Sequence, residues 1–410
     1  MRIIILGAGY GGLQAARLLA SAGHDVLLFE KSKRETIGFN WPVDVEPTVF
    51  TDLQLPLPAG SDRCPSLEYY VSTSRKVRKV DIPDEKRLWH INGHALSMEL
   101  VELCETAGVD FRFEKPASEL LRDESGVVHG IFLDGFPLEA DLVIDSIGLQ
   151  KQEDNGQTIR FLNGYMTEAR PREDVTVSPR KIFMLNPTGK PGITELYQEP
   201  DGVVRIFTGL FEDCDAETLK IQLSKLRLEL DILSGKTIHE GCFHKMPVRS
   251  PSLKMVDRGY ACIDKSNFLS DSLRSGDILA KTILEKGTGI DSLWSYQVQY
   301  YQKILADSFY LQTLKRALFR TDGKTLKAAY EDDLLTNQML LFVAAKTRLA
   351  PEQSNLLPPF RILLKKPLFS ASLAKANASG QAIQNLAQHI PKSYDPAQIS
   401  EWTEQMKKLL

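Results

Sequence analysis

The first 30 residues alternate between short aliphatic runs and one helical stretch. Residues 2–6 (RIIIL) are a brief β-branched and aliphatic run bounded by glycine, which predicts a buried strand. Leu13 to Ala22 is rich in Ala and Leu and is followed by Gly23, a usual helix stop, so we predict a helix there. A second strand is predicted at Asp25 to Glu30. Together the three elements make one strand-helix-strand unit, which is typical of a parallel sheet.

The regular pattern then breaks down and returns later in the chain. Between Lys31 and about Arg87 six prolines interrupt the pattern, so regular helices are not expected there. Helical periodicity returns at Ala95 to Ala107 and is followed by strand-like runs. The pair Asp201-Gly202, between two strand-like runs, predicts a hairpin. The remaining helices are predicted at Ala216 to Leu233, at about Ser270 to Lys286 and, with breaks at prolines, from Ser292 to the C-terminus.

Three glycines between the first strand and the first helix carry the clearest chemical signal. Gly7, Gly9 and Gly12 stand at G-x-G-x-x-G spacing, in which the first glycine permits a tight turn, the second lets backbone approach a pyrophosphate, and the third lets helix and strand pack closely. The helix N-terminus beyond them offers N–H groups and a positive dipole end to phosphates. Glu30, at the end of the second strand, is placed to accept hydrogen bonds from a ribose diol. The turn therefore predicts dinucleotide binding.

The candidate cofactor-binding residues include the neighbours of these motif positions. We favour FAD as the dinucleotide, because the turn is N-terminal and long insertions interrupt the sheet before it resumes, an organisation similar to that of glutathione-reductase-like flavoproteins. An NAD(P)-binding enzyme without flavin stays open as an alternative. The candidates at the turn are Gly7, Gly9, Tyr10, Gly11, Gly12, Glu30 and Lys31.

The length of 410 residues exceeds what one hydrophobic core supports, so several packed units are expected. We predict an α/β protein with a discontinuous FAD/NAD(P)-binding Rossmann-type domain, an inserted β-rich substrate domain and a helical C-terminal region. The predicted boundaries are 1–48, 88–155 and 245–290 for the nucleotide domain, 49–87 and 156–244 for the substrate domain, and 291–410 for the helical region.

Composition narrows the class of protein. A formal net charge of −3 argues against nucleic acid as a partner. The five cysteines are widely spaced without a C-x-x-C pair, so we expect neither a disulfide framework nor a metal site. The chain opens directly with strand-like sequence, and apolar runs such as Met339 to Ala345 are too short to cross a bilayer. A cytoplasmic protein is the expectation.

Four segments carry a closer resemblance. They are GAGYGGLQAARLLASAGHDVLLFEK, WHINGHALSMELVELCETAGVDFRFE, ADLVIDSIG and SLRSGDILAKTILEKG, the last followed by LWSYQVQYYQKIL. In these the chain resembles the geranylgeranyl reductase family, whose members are FAD-dependent reductases that saturate isoprenoid double bonds in lipids and quinones. The resemblance implies FAD as cofactor, NAD(P)H as a candidate electron donor, and an apolar, isoprenoid or polyprenyl lipid or quinone-like substrate. An electron-donor protein or a paralogous protein is an expected partner.

The family's motifs can be carried over residue by residue. Gly7, Gly9, Gly12 and Glu30 match its ADP-binding motif. Asp264 in GYACID matches the aspartate that contacts the ribityl chain, and Gly148 in VIDSIG matches the glycine of a second cofactor turn. The resemblance assigns no catalytic residue.

The chain also departs from the family. Ile263 stands where the family has a glycine before the aspartate, and only KSNFLSD separates Asp264 from SLRSG, so a loop is shortened. The family's arginine before the second-unit helix is absent, since His90, Asn92, Gly93 and His94 occupy that stretch. These departures keep a second hypothesis open: a non-catalytic nucleotide-binding or partner subunit with a degenerate flavin site.

Other side chains allow both a functional and a structural interpretation. His90 and His94 are four residues apart and can share a helix face as an acid-base or metal pair, but no third ligand is nearby; the structural alternative is one capping and one exposed histidine. Cys262 is a redox thiol or a small buried hydrophobe. Several aromatic side chains line an apolar tunnel or form a core: Trp41, Tyr69, Tyr70, Trp89, Tyr165, Tyr197 and Phe207.

The segment 360–375 (FRILLKKPLFSASLAK) combines four basic side chains with apolar ones and has no acid. Such a stretch can lie on an anionic membrane surface, and its alternative is a packed helix with a solvated basic edge. Peripheral membrane contact through 360–375 is therefore a further expectation.

Overall fold

The structure is a computed structural model of the chain. It describes residues 1–38, 42–57, 63–64, 68–73, 75–82, 87–116, 119–147, 160–171, 179–185, 192–199, 202–229, 233–248, 252–263, 269–321, 323–337, 339–340 and 366–410. Two predicted site residues, Gly148 and Asp264, lie outside the described residues, as do Trp41 and residues 360–365.

The strands in the described parts of the chain belong to two large and two small sheets. They are β1 (Arg2–Leu6), β2 (Asp25–Phe29), β3 (Pro42–Val45), β4 (Arg63–Cys64), β5 (Glu68–Ser72), β6 (Val77–Val80), β7 (Trp89–Asn92), β8 (Asp110–Arg112), β9 (Glu119–Arg122), β10 (Val128–Leu133), β11 (Phe136–Glu139), β12 (Leu142–Asp145), β13 (Arg160–Pro171), β14 (Arg180–Met184), β15 (Gly192–Gln198), β16 (Val204–Leu210), β17 (Leu233–Val248), β18 (Val256–Asp257) and β19 (Tyr260–Cys262).

The helices concentrate in the C-terminal half. They are α1 (Tyr10–Ser21), α2 (Thr48–Asp52), α3 (Gly93–Thr106), α4 (Ala216–Glu229), α5 (Leu269–Lys286), α6 (Ile290–Tyr300), α7 (Ala306–Arg320), α8 (Gly323–Glu331), α9 (Pro367–Gln388) and α10 (Pro396–Leu409), with a π-helical turn at Tyr301–Leu305 and a 3₁₀ turn at Arg34–Thr36.

The nucleotide unit is built on a sheet whose described strands run in the order β18-β19-β12-β1-β2-β8. The pairs from β19 to β8 are parallel. Ile3, Ile4 and Ile5 on the central strand β1 are fully buried, as expected for a parallel strand covered on both faces. The predicted strand-helix-strand unit is present, and the predicted α/β fold class is confirmed. Helix α1 begins at Tyr10 rather than Leu13, because Gly9 is its N-cap.

The second large sheet has the described order β17-β13-β16-β15-β14-β5-β6. Its strands pair antiparallel except β14 with β5. The strands on either side of the predicted hairpin, β15 and β16, pair antiparallel, although Asp201 itself lies outside the described residues. A small antiparallel sheet, β3-β7-β4, is a third layer of strands.

Two predictions of secondary structure were wrong. The helix predicted to reach Leu233 ends at Glu229, and Leu233 begins β17, which pairs with β13. Cross-strand pairing over a long strand outweighs the local helical pattern there. The proline-rich stretch contains the short helix α2, directly after Pro47, whose fixed φ suits a helix start.

The C-terminal helices cover one end of the large antiparallel sheet. Side chains of α7 and α8, such as Leu314 and Tyr330, share a core with Val71 of β5 and Phe183 of β14. The predicted helical C-terminal region is therefore present, while the exact domain boundaries stay a prediction.

No helix among the described residues is long and apolar enough to cross a membrane. Helix α9 lies partly in the basic segment 360–375; its Phe369 and Leu373 are buried in the protein, whereas Leu368 is 87% exposed. Peripheral membrane contact through this segment stays a prediction.

Helices α1 and α5 cross with their backbones in contact. A Cβ atom added to Gly276 of α5 would lie 2.0 Å from the carbonyl oxygen of Gly11, and one added to Gly11 would lie 2.3 Å from the carbonyl oxygen of Ser272. The crossing therefore requires glycine on both helices.

We expect Gly276→Val to destabilise the protein by about 1–3 kcal/mol, because the added side chain has no space at the crossing. Chemical denaturation of the purified protein measures this difference. Gly289→Val is the matched control, since nothing lies within 4 Å of a Cβ at Gly289. Equal stability of the two variants would contradict the close crossing.

Candidate functional site

The glycine turn has the geometry that its sequence predicts. Gly7 has a φ of +93°, a conformation that favours glycine, and its N–H donates to the carbonyl oxygen of Phe29 at 2.7 Å. A Cβ on Gly12 would lie 2.6 Å from the Gly7 carbonyl oxygen, so the third glycine does permit close packing of helix on strand. Gly9 is exposed at the N-cap of α1.

Glu30 holds the turn beside the end of the second strand. Its Oε2 accepts the N–H of Ala8 at 2.9 Å, and its Oε1 accepts the N–H of Ser32 at 2.8 Å. Each carboxylate oxygen has two lone pairs, so both keep the capacity to accept a further hydroxyl group. Lys31 next to it is exposed.

Tyr10 and Gly11 tie the turn to two other helices. The Tyr10 hydroxyl donates to the carbonyl oxygen of Gly93 at 3.0 Å, at the start of α3. Burial raises the pKa of Tyr10 to about 12, against a lowering by its hydrogen bond with Ser97. The N–H of Gly11 donates to Ser272 Oγ at 3.2 Å, near the start of α5.

The predicted site residues at positions 7, 9, 10, 11, 12, 30 and 31 thus lie together at the carboxyl edge of β1 and β2. The carboxyl end of the neighbouring β12 leads toward Gly148, outside the described residues. There Asp145 is fully buried and accepts the Tyr260 hydroxyl at 2.8 Å and the N–H of Ile147 at 2.8 Å. Ile263, at the position where the geranylgeranyl reductase motif has a glycine, is buried in the core beside Gly11.

A second group of charged and titratable side chains lies between the small sheet β3-β7-β4 and the large antiparallel sheet. We call it the charged cluster and define it as Asp44, His90, Lys181, Glu195, Glu199 and Arg205. Asp44 and His90 are directly opposite each other on β3 and β7. Lys181 lies on β14, Glu195 on β15, Glu199 just beyond β15, and Arg205 on β16.

The contacts within the charged cluster form a continuous chain. His90 Nδ1 lies 3.0 Å from Asp44 Oδ1, and His90 Nε2 lies 3.3 Å from Glu199 Oε1. Lys181 Nζ lies 2.6 Å from Asp44 Oδ2 and 3.6 Å from Glu195 Oε1. Arg205 Nη1 lies 2.9 Å from Glu199 Oε1.

Five members of the cluster are buried and Arg205 is partly exposed, and neighbours within it shift each other's pKa. Burial alone would raise the pKa of Asp44, but the charge of Lys181 and the hydrogen bond from His90 lower it well below its usual range. Burial opposes the charged forms of Lys181 and His90, yet the neighbouring carboxylates raise the pKa of both. Glu199 also has a lowered pKa, because contacts with His90 and Arg205 outweigh its burial.

Neither sequence-based interpretation of His90 and His94 holds: they do not share a helix face, and His90 is buried while His94 is only partly exposed. His90 lies in strand β7, while His94 lies in α3 and its Nδ1 contacts the carbonyl oxygen of Ile37 at 2.6 Å. A signal for the cluster did exist: Glu195, Tyr197 and Glu199 alternate along β15, which places them on one face. Such alternation usually indicates a solvated face, so burial of the charges was not foreseen.

The aromatic candidates do not all line one cavity. Tyr69 and Tyr197 lie beside Lys181 on the cluster side of the large sheet, with ring centroids 5.7 and 5.2 Å from its Nζ. Tyr165 and Tyr70 instead belong to the core on the opposite side of that sheet. Cys262 is buried and its thiol lies 3.4 Å from the carbonyl oxygen of Ile263.

The comparisons with known proteins agree with this geometry. Residues 5–54 match a family described as an NAD(P)-binding Rossmann-like domain. A geranylgeranyl bacteriochlorophyll reductase-like protein from Thermoplasma acidophilum superimposes with a TM-score of 0.63 at 14% identity, covering 92% of this chain and 98% of that one. No curated protein sequence matches the chain.

Two further solved structures have the same architecture. CtdE, in complex with FAD and a substrate, gives a TM-score of 0.58 at 14% identity, covering 94% of this chain and 100% of its own. PqsL from Pseudomonas aeruginosa, in complex with 2-aminobenzoylacetate, gives 0.56 at 16% identity, covering 84% and 99%. The chain has the fold of FAD-dependent oxidoreductases. The resemblance to geranylgeranyl reductases is thus confirmed at the level of fold.

We expect Lys181→Met to destabilise the protein by about 3–5 kcal/mol, because it leaves Asp44 and Glu195 without their buried cation. Denaturant titration monitored by tryptophan fluorescence measures the loss. Lys254→Met is the matched control, because Lys254 is 64% exposed and its ion pair with Asp257 contributes less than about 1 kcal/mol. A neutral or stabilising Lys181→Met would show that the cluster is not held by its charges.

Proposed function

We propose that the protein is an FAD-dependent oxidoreductase that acts on an apolar, isoprenoid or quinone-like substrate. The observation that carries the proposal is the glycine turn with Glu30, at the carboxyl edge of the parallel sheet, in a chain whose fold is similar to that of the FAD-bound CtdE. Ligands bind at the carboxyl edges of such sheets.

The residues of the turn fit the ADP part of FAD. Exposed Gly9 presents backbone rather than a side chain, and the start of α1 beyond it offers N–H groups to a pyrophosphate. Glu30 keeps lone pairs for a ribose diol while it holds Ala8 and Ser32 in place. Tyr10 and Lys31 flank these two groups.

The role of the protein is to position the cofactor and exclude water from it. Reduced FAD supplies a hydride equivalent when it is bound. Tyr10 fixes the start of α3 against the turn, and Ser272 fixes the start of α5, so both helices are held in place around the cofactor site. We propose NAD(P)H as the electron donor. The apolar substrate is supported by the fold shared with the geranylgeranyl bacteriochlorophyll reductase-like protein.

The purified protein should be yellow, with an absorption band near about 450 nm, and should rebind FAD after its removal. Gly9→Glu places a carboxylate at the pyrophosphate position and should weaken FAD binding about tenfold or more by charge repulsion. Titration of the apoprotein with FAD, followed by flavin fluorescence, measures both affinities.

Gly289→Glu is the control, because Gly289 is likewise an extended N-cap glycine without a side-chain cap, at the start of α6. A colourless wild-type protein that takes up no FAD would overturn the proposal. It would favour the non-catalytic partner subunit, unless NADH alone quenches the tryptophan fluorescence, which would favour an NAD(P)-binding enzyme. With FAD bound, NAD(P)H oxidation that a short-chain quinone or isoprenoid alkene stimulates would support the substrate class.

A further inference from the structure

We infer that His90 is protonated and that its hydrogen bonds hold the small sheet β3-β7-β4 against the large antiparallel sheet. This junction weakens when His90 loses its proton. The inference concerns the chain itself and does not depend on bound FAD.

The first argument is the hydrogen-bonding capacity of the ring. A neutral imidazole has one donor nitrogen and one acceptor nitrogen, whereas an imidazolium has two donors. His90 Nδ1 faces Asp44 and His90 Nε2 faces Glu199, at 3.0 and 3.3 Å. With a neutral ring, one unprotonated nitrogen would face a carboxylate oxygen, lone pair against lone pair.

Neither carboxyl group can remove that conflict cheaply by taking up a proton. Asp44 Oδ2 lies 2.6 Å from Lys181 Nζ, and Glu199 Oε1 lies 2.9 Å from Arg205 Nη1. Each carboxylate is therefore stabilised as an anion by its own cation. The proton belongs on His90.

The second argument is the balance of charge. Asp44, Glu195 and Glu199 carry three negative charges, and Lys181 and Arg205 carry two positive ones. A protonated His90 brings the formal sum of these six groups to zero, and a neutral His90 leaves one uncompensated negative charge beside the buried Asp44 and Glu195, which is costly. Glu168 contacts Arg205 Nε at 2.8 Å at the edge of the cluster, where the two side chains are 27% and 20% exposed and solvent screens their charges.

Two tyrosines are further titratable groups beside the ring and Lys181. The Tyr197 ring stacks on His90 with centroids 4.9 Å apart, and burial together with Glu195 keeps the pKa of its hydroxyl well above the usual value. Tyr69 of β5 lies beside Lys181, with its ring centroid 5.7 Å from Nζ. His90 is thus the group in this cluster whose charge changes most readily near neutral pH.

The location of the ring gives its protonation a structural consequence. Asp44 and His90 belong to the small sheet, and Glu199 and Lys181 belong to the large sheet or its loop. The contact of His90 Nε2 with Glu199 therefore joins one layer to the other, and the contact of Nδ1 holds Asp44, which itself reaches across to Lys181. His90 is a positioning residue for the junction between the small sheet β3-β7-β4 and the large antiparallel sheet.

The sign of the pH dependence follows from the raised pKa. An unfolded histidine has a pKa of about 6.5. Because folding raises the pKa of His90, its contribution to stability is complete below about pH 6.5 and is lost as the pH rises through the folded value.

Two measurements test the inference. Long-range proton–nitrogen NMR of protein with 15N-labelled histidine should show one histidine with both ring nitrogens protonated at pH 7, and its signal should shift in Glu199→Gln. A neutral-ring pattern for that residue at pH 7 would overturn the inference. This measurement uses the wild-type fold and does not require stable His90 variants.

Thermal unfolding supplies the second measurement. His90→Gln should lower Tm on the order of 5–10 °C at pH 6, and the difference from wild type should shrink toward pH 9. Adding Glu199→Gln to His90→Gln restores charge neutrality, so the double variant should unfold at a higher temperature than His90→Gln alone. His129→Gln is the matched control, because His129 contacts Asp123 at 3.0 Å but is 53% exposed.

Two results would contradict the inference that the charge of His90 stabilises the junction between the two sheets. One is a Tm difference for His90→Gln that does not change with pH, and the other is a double variant whose losses simply add. Either result would mean that His90 stabilises the junction by packing and not by its charge. Since no arm requires FAD, a colourless protein would overturn the proposed function while leaving this test intact.

Discussion

Contact of backbone with backbone at the glycine turn is the constraint on which the nucleotide unit depends. The start of α1 meets the end of β1 at Gly12, and it meets α5 at Gly276, with no side chain between them at either point. Residues more than 250 positions apart are thereby brought into one small volume. Strand β2, with Glu30 directly after it, then borders the same turn. A side chain at these glycines would separate elements that build the cofactor site.

The junction between the small sheet β3-β7-β4 and the large antiparallel sheet follows a different principle. Where most interiors use apolar packing, this one contains hydrogen-bonded charges, and buried charges contribute little net stability because of their desolvation cost. Hydrogen-bonded charges differ from apolar side chains in being directional. Apolar surfaces can pack in several relative positions, whereas Lys181 contacts both Asp44 and Glu195 in only one. We interpret the charged cluster as the feature that fixes the relative placement of the sheets.

Sequence reasoning predicted the nucleotide turn but missed the cluster, and the cause is physical. The turn is local: Gly7 to Gly12 and Glu30 act through spacing along a single strand-helix-strand unit, so the pattern of residues carries the geometry. The cluster is assembled from strands β3, β7, β14, β15 and β16, and no stretch of sequence contains it. His90 was therefore compared with His94, its neighbour in sequence, rather than with Asp44 and Glu199, its neighbours in space.

The hydroxyl of Tyr10 connects the glycine turn to the segment that carries His90. It donates to the carbonyl oxygen of Gly93, which lies three residues after His90 where β7 leads into α3. A nucleotide at the glycine turn and a proton on His90 are thus two ligands that bind at separate sites of the same folded chain. Thermodynamic reciprocity then applies: by whatever factor protonation of His90 changes nucleotide affinity, nucleotide binding changes the proton affinity of His90 by the same factor. A coupling of this kind would show itself as uptake or release of protons when a dinucleotide binds.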